Sequence, residues 1–185
     1  MYYNPYMYPY RYPYDGTIPM YSYGNQPGYW AYPQDYGHPA WRPTHGQRNI
    51  QLKDYGPNPF VVDINKATNQ NKTFRTALWT GDHLQLTLMS IKPGEDIGLE
   101  RHPNLDQFLR VEQGQGFVQM GNRKNNLTFT RNVMDDSAII IPAGTWHNLT
   151  NTGNTPLKLY SIYAPPNHPF GTVHTTKAEA IAAED

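Results

Sequence analysis

Four side chains with oxygen or nitrogen donor atoms lie at spacings that suit a metal-binding site. Glu100 and His102 are two positions apart, so in an extended strand both side chains leave the same face. Gln107 follows a Pro-Asn turn at the start of an apolar-rich segment, and His147 follows a Pro-x-Gly turn. We therefore predict that these four residues are the ligands of a divalent metal ion inside a small β-barrel.

The chemistry of the donor set narrows the choice of metal. The chain has no cysteine, so thiolate ligands and iron–sulfur centres are excluded, and oxygen and nitrogen donors favour Mn, Fe, Ni, Zn or Co over Cu(I). Two imidazoles and one carboxylate match a facial triad with open positions for water, O2 or a bidentate ligand. Gln107 is a neutral donor that would either bind through its amide oxygen or hydrogen-bond a metal-bound water.

The same residues also suit a site without an ion. A buried glutamate beside two histidines can form ion pairs, and a glutamine can complete the hydrogen-bonded network. The sequence alone leaves both arrangements open. Asp106, Arg110 and Glu112 are out of phase with Gln107 and are expected to face away from the pocket. No residue other than the ligands is therefore apparent as a general base. We expect His168 and His174 to be exposed loop histidines.

Short strands must position these side chains. In residues 84–91, leucines alternate with Gln85 and Thr87, which predicts a strand with one apolar and one polar face. Other segments with strand character are separated by Gly, Pro and Asn, and no long helical period is present. The predicted strands are residues 73–79, 84–91, 107–113, 117–120, 127–130, 138–141, 146–151 and 157–163. Residues 65–72 and 131–137 are predicted to be connections, and the fold class is an all-β barrel or sandwich.

The spacing of the candidate ligands resembles the two motifs of the cupin superfamily, G-x5-H-x-H-x4-E-x6-G and G-x5-P-x-G-x2-H-x3-N. Three positions depart from these motifs: Glu100 replaces a histidine, Gln107 a glutamate and Asp136 a glycine. The remaining motif positions match, namely Gly94, His102, Gly114, Pro142, Gly144, His147 and Asn151. The resemblance implies a double-stranded β-helix, the cupin jelly-roll barrel, over residues 60–170.

The resemblance also carries expectations about function. It implies a metal-binding protein that acts on or binds a small oxygen-rich molecule, in a reaction like that of sugar-phosphate isomerases or dioxygenases. Some cupins have no activity, so whether this chain is an enzyme is left open. Cupins often pair through barrel edges, which predicts a homodimer with the apolar run 60–64 as a swapped or edge strand.

Residues 1–50 differ in composition from the rest of the chain. They hold 12 of the 15 tyrosines and eight prolines, but only five charged side chains. Frequent prolines disfavour helix and central strand, so we expect a disordered arm. Its many aromatic side chains also suit assembly with partners, and its composition resembles that of spore-coat proteins. A non-catalytic structural role in a bacterial spore coat or another outer layer is therefore the alternative function.

The remaining features concern the chain ends and the partners. Residues 51–59 are predicted to be a linker, and residues 171–185 a tail with a short helix that opens on a capping box at Thr176 and Glu179. Lys and Arg together number 15, as do Asp and Glu, so no charge imbalance favours nucleic acid. No segment suits a membrane span or a secretory signal. We expect synthesis in the cytoplasm, with deposition in a spore coat as a further possibility.

Overall fold

A computed structural model describes residues 49–183, which form nine strands and two short helices in two antiparallel sheets. This arrangement confirms the predicted all-β double-stranded β-helix with a short C-terminal helix. The arm predicted for residues 1–50 lies, except for its last two residues, outside the described residues. The elements are α1 (Ile64–Gln70), β1 (Arg75–Thr80), β2 (Gln85–Ile91), β3 (Asp106–Gln113), β4 (Gln115–Gly121), β5 (Phe129–Met134), β6 (Ala138–Ile141), β7 (Trp146–Asn151), β8 (Leu157–Ala164), β9 (Val173–His174) and α2 (Lys177–Ala182).

The larger sheet has the strand order β6-β3-β8-β2-β1-β9, and the smaller sheet has the order β5-β4-β7. The inner faces of both sheets contribute to one apolar core, as in other two-layered β folds. The large sheet contributes Met89, Ile91, Leu109, Val111, Leu157 and Leu159, and the small sheet contributes Val118, Met120, Val133 and Leu149. This core fills one part of the interior and supports the strands that carry the candidate ligands.

The strand β2 has the two faces that its sequence predicts. Met89 and Ile91 point into the core, so Gln85 and Thr87, which have the same parity, also face inward. Leu88 faces outward and belongs to a second apolar cluster, with Leu78 and Ala67. The polar face of β2 is therefore the inner one, and the leucine face is covered from outside.

Two segments that cover the outer face differ from the structures predicted from the sequence. Residues 65–72 are not a loop but contain α1, whose N-cap Asp63 accepts a hydrogen bond from the Lys66 amide at 3.0 Å. The run 60–64 is not a strand: Phe60 and Val62 pack against the second apolar cluster. Burial against the sheet stabilises a helix that is too short and too rich in asparagine to be stable alone.

The outer cover leaves an apolar groove of about 730 Å³ beside the helix. Val61 lies on this groove with 98% of its surface exposed. Proline, aromatic and aliphatic side chains line the rest of it, among them Pro57, Pro59, Trp79, Tyr160 and Ile162. An apolar surface of this kind is a candidate contact with another protein.

One further strand differs in part from prediction, whereas the C-terminal helix agrees with it. The fifth strand extends to Met134, through residues that were predicted to be a connection, because it pairs with β4 along its whole length. It is an edge strand whose residues are mostly exposed, so its sequence lacks an apolar period. The helix α2 begins as predicted, with the Thr176 hydroxyl accepting from the Glu179 amide at 3.2 Å. Within residues 49–183, neither helix is long and apolar enough to cross a membrane.

Candidate metal centre

Backbone pairing brings two of the candidate ligands together. Glu100 and His147 form an isolated antiparallel bridge, in which each amide donates to the other residue's carbonyl at 3.0 Å. His147 lies on β7 and shares its inward face with Leu149 of the core. The loop before β3 therefore runs beside β7 and places the Glu100 carboxylate next to the His147 ring.

A glycine turn holds the third ligand. The Gly144 amide donates to the His102 carbonyl at 2.7 Å. Gly144 has a φ of +79°, a conformation that residues with a Cβ rarely adopt. The Pro-x-Gly turn that was recognised in the sequence therefore both leads into β7 and fixes the backbone of His102.

The three side chains meet at their donor atoms. The Glu100 Oε1 atom lies 3.3 Å from His102 Nε2 and 3.1 Å from His147 Nε2. One donor atom from each residue lies within 4.8 Å of the others, which is close enough to share one metal ion. His147 is 1% exposed, whereas His102 and Glu100 are 14% and 15% exposed. Solvent therefore reaches the cluster from the side of His102 and Glu100, whereas the side of His147 is buried.

Hydrogen bonding orients the His147 ring for a ligand role. Its Nδ1 atom lies 2.9 Å from the Thr145 carbonyl oxygen, which can only accept a hydrogen bond. Nδ1 therefore carries the proton, and in the neutral ring Nε2 presents a lone pair to the Glu100 carboxylate. A lone pair and a carboxylate oxygen 3.1 Å apart repel each other unless a proton or a cation lies between them. The carbonyl plays the orienting part that such partners play at known metal sites.

The electrostatics keep the carboxylate charged. Burial alone raises the pKa of Glu100, but when the His102 and His147 rings are protonated, their hydrogen bonds and charges outweigh burial and hold that pKa well below its usual range. An ionised carboxylate and two imidazoles form a ligand set with a charge of −1. Such a set suits a divalent cation.

The fourth predicted ligand, Gln107, lies on the inner face of β3 and is 2% exposed. Its Nε2 donates to the Ser161 hydroxyl at 3.1 Å. Among the described residues, its Oε1 has no hydrogen-bond partner, and His102 Nε2 makes no well-aligned hydrogen bond, although it lies 3.3 Å from Glu100 Oε1. Buried polar atoms are rarely left unpaired, so both atoms indicate a group that binds from outside the protein. The donor set and these two atoms fit a metal ion.

The residues expected to face away from the pocket do so. The Glu112 carboxylate is buried beneath α1, where it accepts from Asn65 Nδ2 at 2.6 Å and from Arg110 Nη1 at 2.7 Å. Asp106 is exposed and accepts from the Ala143 amide at 2.8 Å. These carboxylates support the barrel from outside and take no part in the cluster.

The prediction for His168 was wrong. This histidine is only 9% exposed, and its ring stands edge-on to Tyr163 with centroids 5.1 Å apart. The Tyr163 ring in turn stands edge-on to His102 at 5.8 Å. Burial and the neighbouring Arg75 charge lower the pKa of His168 to about 3, so the ring is neutral at physiological pH.

One glutamine side chain explains the position of His168. Gln85 accepts from the amides of His168 and Asn167 and donates to the His168 carbonyl at 2.8 Å. It thereby ties residues 167–168 to the rim of the barrel. The sequence around His168 has no period and three nearby prolines, so the only available signal was the inward position of Gln85 on β2.

The comparisons with known proteins agree with this architecture. The cupin domain model matches residues 87–163, a range that contains all four predicted ligands. The chain is 65% identical over 189 residues to uncharacterized protein YrkC of Bacillus subtilis (strain 168), with 100% of both chains covered. It is 41% identical over 123 residues to uncharacterized protein L612 of Acanthamoeba polyphaga mimivirus, which covers 65% of this chain and 74% of that one. The crystal structure of BH2720 from Bacillus halodurans is similar at 70% identity with a TM-score of 0.70, covering 71% of this chain and 99% of that one.

Proposed function

Because this chain belongs to the cupin superfamily, we propose that it holds a divalent metal ion in its barrel and acts on or binds a small oxygen-rich molecule there. The observation that carries this proposal is the cluster of Glu100, His102 and His147, whose donor atoms lie within 4.8 Å of one another. Gln107 is the fourth donor, either directly or through a water molecule. Mn, Fe, Ni and Zn all accept this set of oxygen and nitrogen ligands.

Each residue of the cluster has a distinct task. His147 is fixed by Thr145 and turns its Nε2 towards the site. Glu100 supplies the negative charge of the ligand set, because its pKa lies well below the usual range. His102 and Glu100 are the two members that solvent reaches, so an incoming molecule meets them first. A divalent ion held here would act as a Lewis acid that polarises a carbonyl or hydroxyl oxygen of the bound molecule.

Two reaction classes suit this site. In a reaction like that of sugar-phosphate isomerases, a proton moves between carbons next to a polarised carbonyl. In a reaction like that of dioxygenases, the open positions accept O2 and an enediol. Both classes need a small substrate with neighbouring oxygen atoms, and that shared requirement defines the proposed substrate class.

Elemental analysis tests the proposal directly. We expect near-stoichiometric transition metal in the purified protein, or after incubation with Mn, Fe, Ni or Zn, and its loss in Glu100→Ala, His102→Ala and His147→Ala. His83→Ala is the matched control, because His83 is an exposed histidine in the turn between β1 and β2 and should have no effect on metal content. Protein that contains no transition metal and takes up none from solution would overturn the proposal.

A further inference from the structure

Three polar side chains form a row across the inner face of the large sheet: Gln107 on β3, Ser161 on β8 and Thr87 on β2. Thr87 and Ser161 are direct partners in the β2–β8 register, so they point to the same side. In the β3–β8 register Gln107 lies opposite Tyr163, which is two residues nearer the rim of the barrel than Ser161. The Gln107 Nε2 atom donates a hydrogen bond to the Ser161 hydroxyl. All three are at most 2% exposed. We call them the polar row.

The polar row lies between the metal centre and the apolar core. Further along β2, Met89 and Ile91 belong to the core. In the other direction, Tyr163 is the register partner of Gln107, and its ring stands 5.8 Å from the ring of His102. A molecule bound at the metal centre therefore faces Tyr163 on this sheet and, deeper along the same inner face, the polar row.

The hydrogen bonds of the polar row are incomplete. The Gln107 amide nitrogen can only donate, so the Ser161 oxygen accepts and its hydrogen remains available to another acceptor. Gln107 Oε1 and Thr87 Oγ1 have no partner among the described residues. A valine has nearly the same shape as threonine and would remove the unpaired group at position 87. Buried polar groups of this kind persist where something else pairs with them.

We propose that the polar row recognises the ligand of the metal centre and selects a small neutral polyhydroxy compound, an inference that rests on the proposed function. Where Gln107 does not bind the metal directly, its Oε1 accepts from the ligand or from a metal-bound water; Ser161 offers a hydrogen, and Thr87 can do either. A hydroxyl group both donates and accepts, so neighbouring hydroxyls satisfy all three side chains. The polar row carries no charge, and this part of the site therefore favours hydroxyls over carboxylate or phosphate.

The first test is thermal stability, which requires neither metal nor ligand. We expect Thr87→Val to raise the Tm by about 3 °C in protein treated with a chelator, because it removes an unpaired buried hydroxyl. Thr76→Val is the matched control: this threonine is 3% exposed and bonds Asn71 Oδ1 at 3.2 Å, so its loss should lower the Tm. A Tm that falls in Thr87→Val as it does in Thr76→Val would show that the hydroxyl is paired within the protein and would overturn the proposal.

The second test is binding by calorimetry to the Mn²⁺-loaded protein. The probes are dihydroxyacetone, glyceraldehyde and ribose as neutral polyhydroxy compounds, and oxalate as an anion without hydroxyl groups. We expect at least one neutral probe to bind, Thr87→Val to weaken it roughly 10- to 100-fold, and Thr87→Ser to restore it. Oxalate affinity should change less than about twofold, since oxalate needs only the metal.

Controls separate the two proposals. Thr68→Val is matched in type, because the Thr68 hydroxyl is also buried without a partner among the described residues but lies on α1, away from the polar row. It should leave probe binding unchanged. A protein that binds Mn²⁺ and oxalate but none of the neutral probes would overturn the proposed role of the polar row and leave the proposed function standing. A protein that takes up no metal would overturn the proposed function, and the Tm of Thr87→Val would still decide whether the hydroxyl is paired.

Discussion

Successive residues of β2 show how differently the two faces of the large sheet are built. Leu86 and Leu88 point outward, where α1 and residues 50–64 cover them. Thr87 points inward with its hydroxyl buried and unpaired among the described residues. In a simple two-layered β protein, the inner face of a strand is apolar and the outer face is polar. At this end of β2 the pattern is reversed.

The reversal separates two tasks within one sheet. The outer face is apolar and contributes stability by burying leucines beneath the short helix α1. The inner face near the rim keeps polar groups whose hydrogen bonds are incomplete, which costs stability and leaves those groups for a ligand or a metal ion. Loss of a buried side chain on the outer face should therefore lower stability. On the inner face, changes should alter binding or pH dependence, and removal of an unpaired hydroxyl should raise stability.

The largest effect is expected on the covered outer face. Leu88→Ala removes a fully buried side chain and should lower the free energy of unfolding by about 3 kcal/mol. Metal content per folded molecule should not change. Urea denaturation measures the first quantity and elemental analysis the second. Leu84→Ala is the matched control, since Leu84 is 39% exposed, and it should cost less than about 1 kcal/mol. Similar costs for both leucines would contradict the buried role of the outer face.

An intermediate effect is expected at the rim of the inner face. The pKa of His168 is about 3 in the folded protein, compared with an ordinary value of 6.5. Below pH 6.5 the unfolded chain therefore binds a proton at this residue that the folded chain does not bind. Acidification from pH 7 to pH 5 should therefore cost about 2 kcal/mol through this residue. His168→Gln should remove that part of the pH dependence in urea denaturation with a chelator present. An unchanged slope would show that the ring takes up a proton in the folded state.

The smallest effect on stability is expected on the open part of the outer face. Val61→Asp should change the free energy of unfolding by less than about 0.5 kcal/mol, because the side chain is 98% exposed. If the apolar groove is the contact of the expected homodimer, the same change should shift the mass in light scattering from dimer to monomer. Met134→Asp, at an exposed residue of β5 in the smaller sheet, should leave the mass unchanged. A monomeric wild-type protein would refute the homodimer.

The sequence predicted well what depends on local spacing. The alternation of leucine with Gln85 and Thr87 predicted both faces of β2, although not that the polar face is the inner one. The motif spacing predicted that Glu100, His102 and His147 meet, because the turn before β7 and the two-residue period of strands fix their directions. The capping box likewise predicted where α2 begins.

The failures arise where contacts distant in sequence decide the structure. The helix α1 is rich in asparagine, and its position depends on Asn65 reaching Glu112 and on Gln70 bonding the Ile50 backbone. His168 is buried because Gln85, 83 positions earlier, binds its backbone. Neither contact leaves a local pattern. The arm predicted for residues 1–50 and its role in a spore coat stay predictions.

The paired backbone of Glu100 and His147 has a consequence for amide hydrogen exchange. Each amide is held by the other residue's carbonyl, so neither can exchange with solvent until the loop leaves β7. These two amides therefore report the opening of the site itself, while core amides such as that of Leu109 report unfolding of the barrel. An ion bound by both side chains would slow exchange at the amides of Glu100 and His147. The exchange rate of these two amides, compared with that of Leu109, would therefore measure metal occupancy.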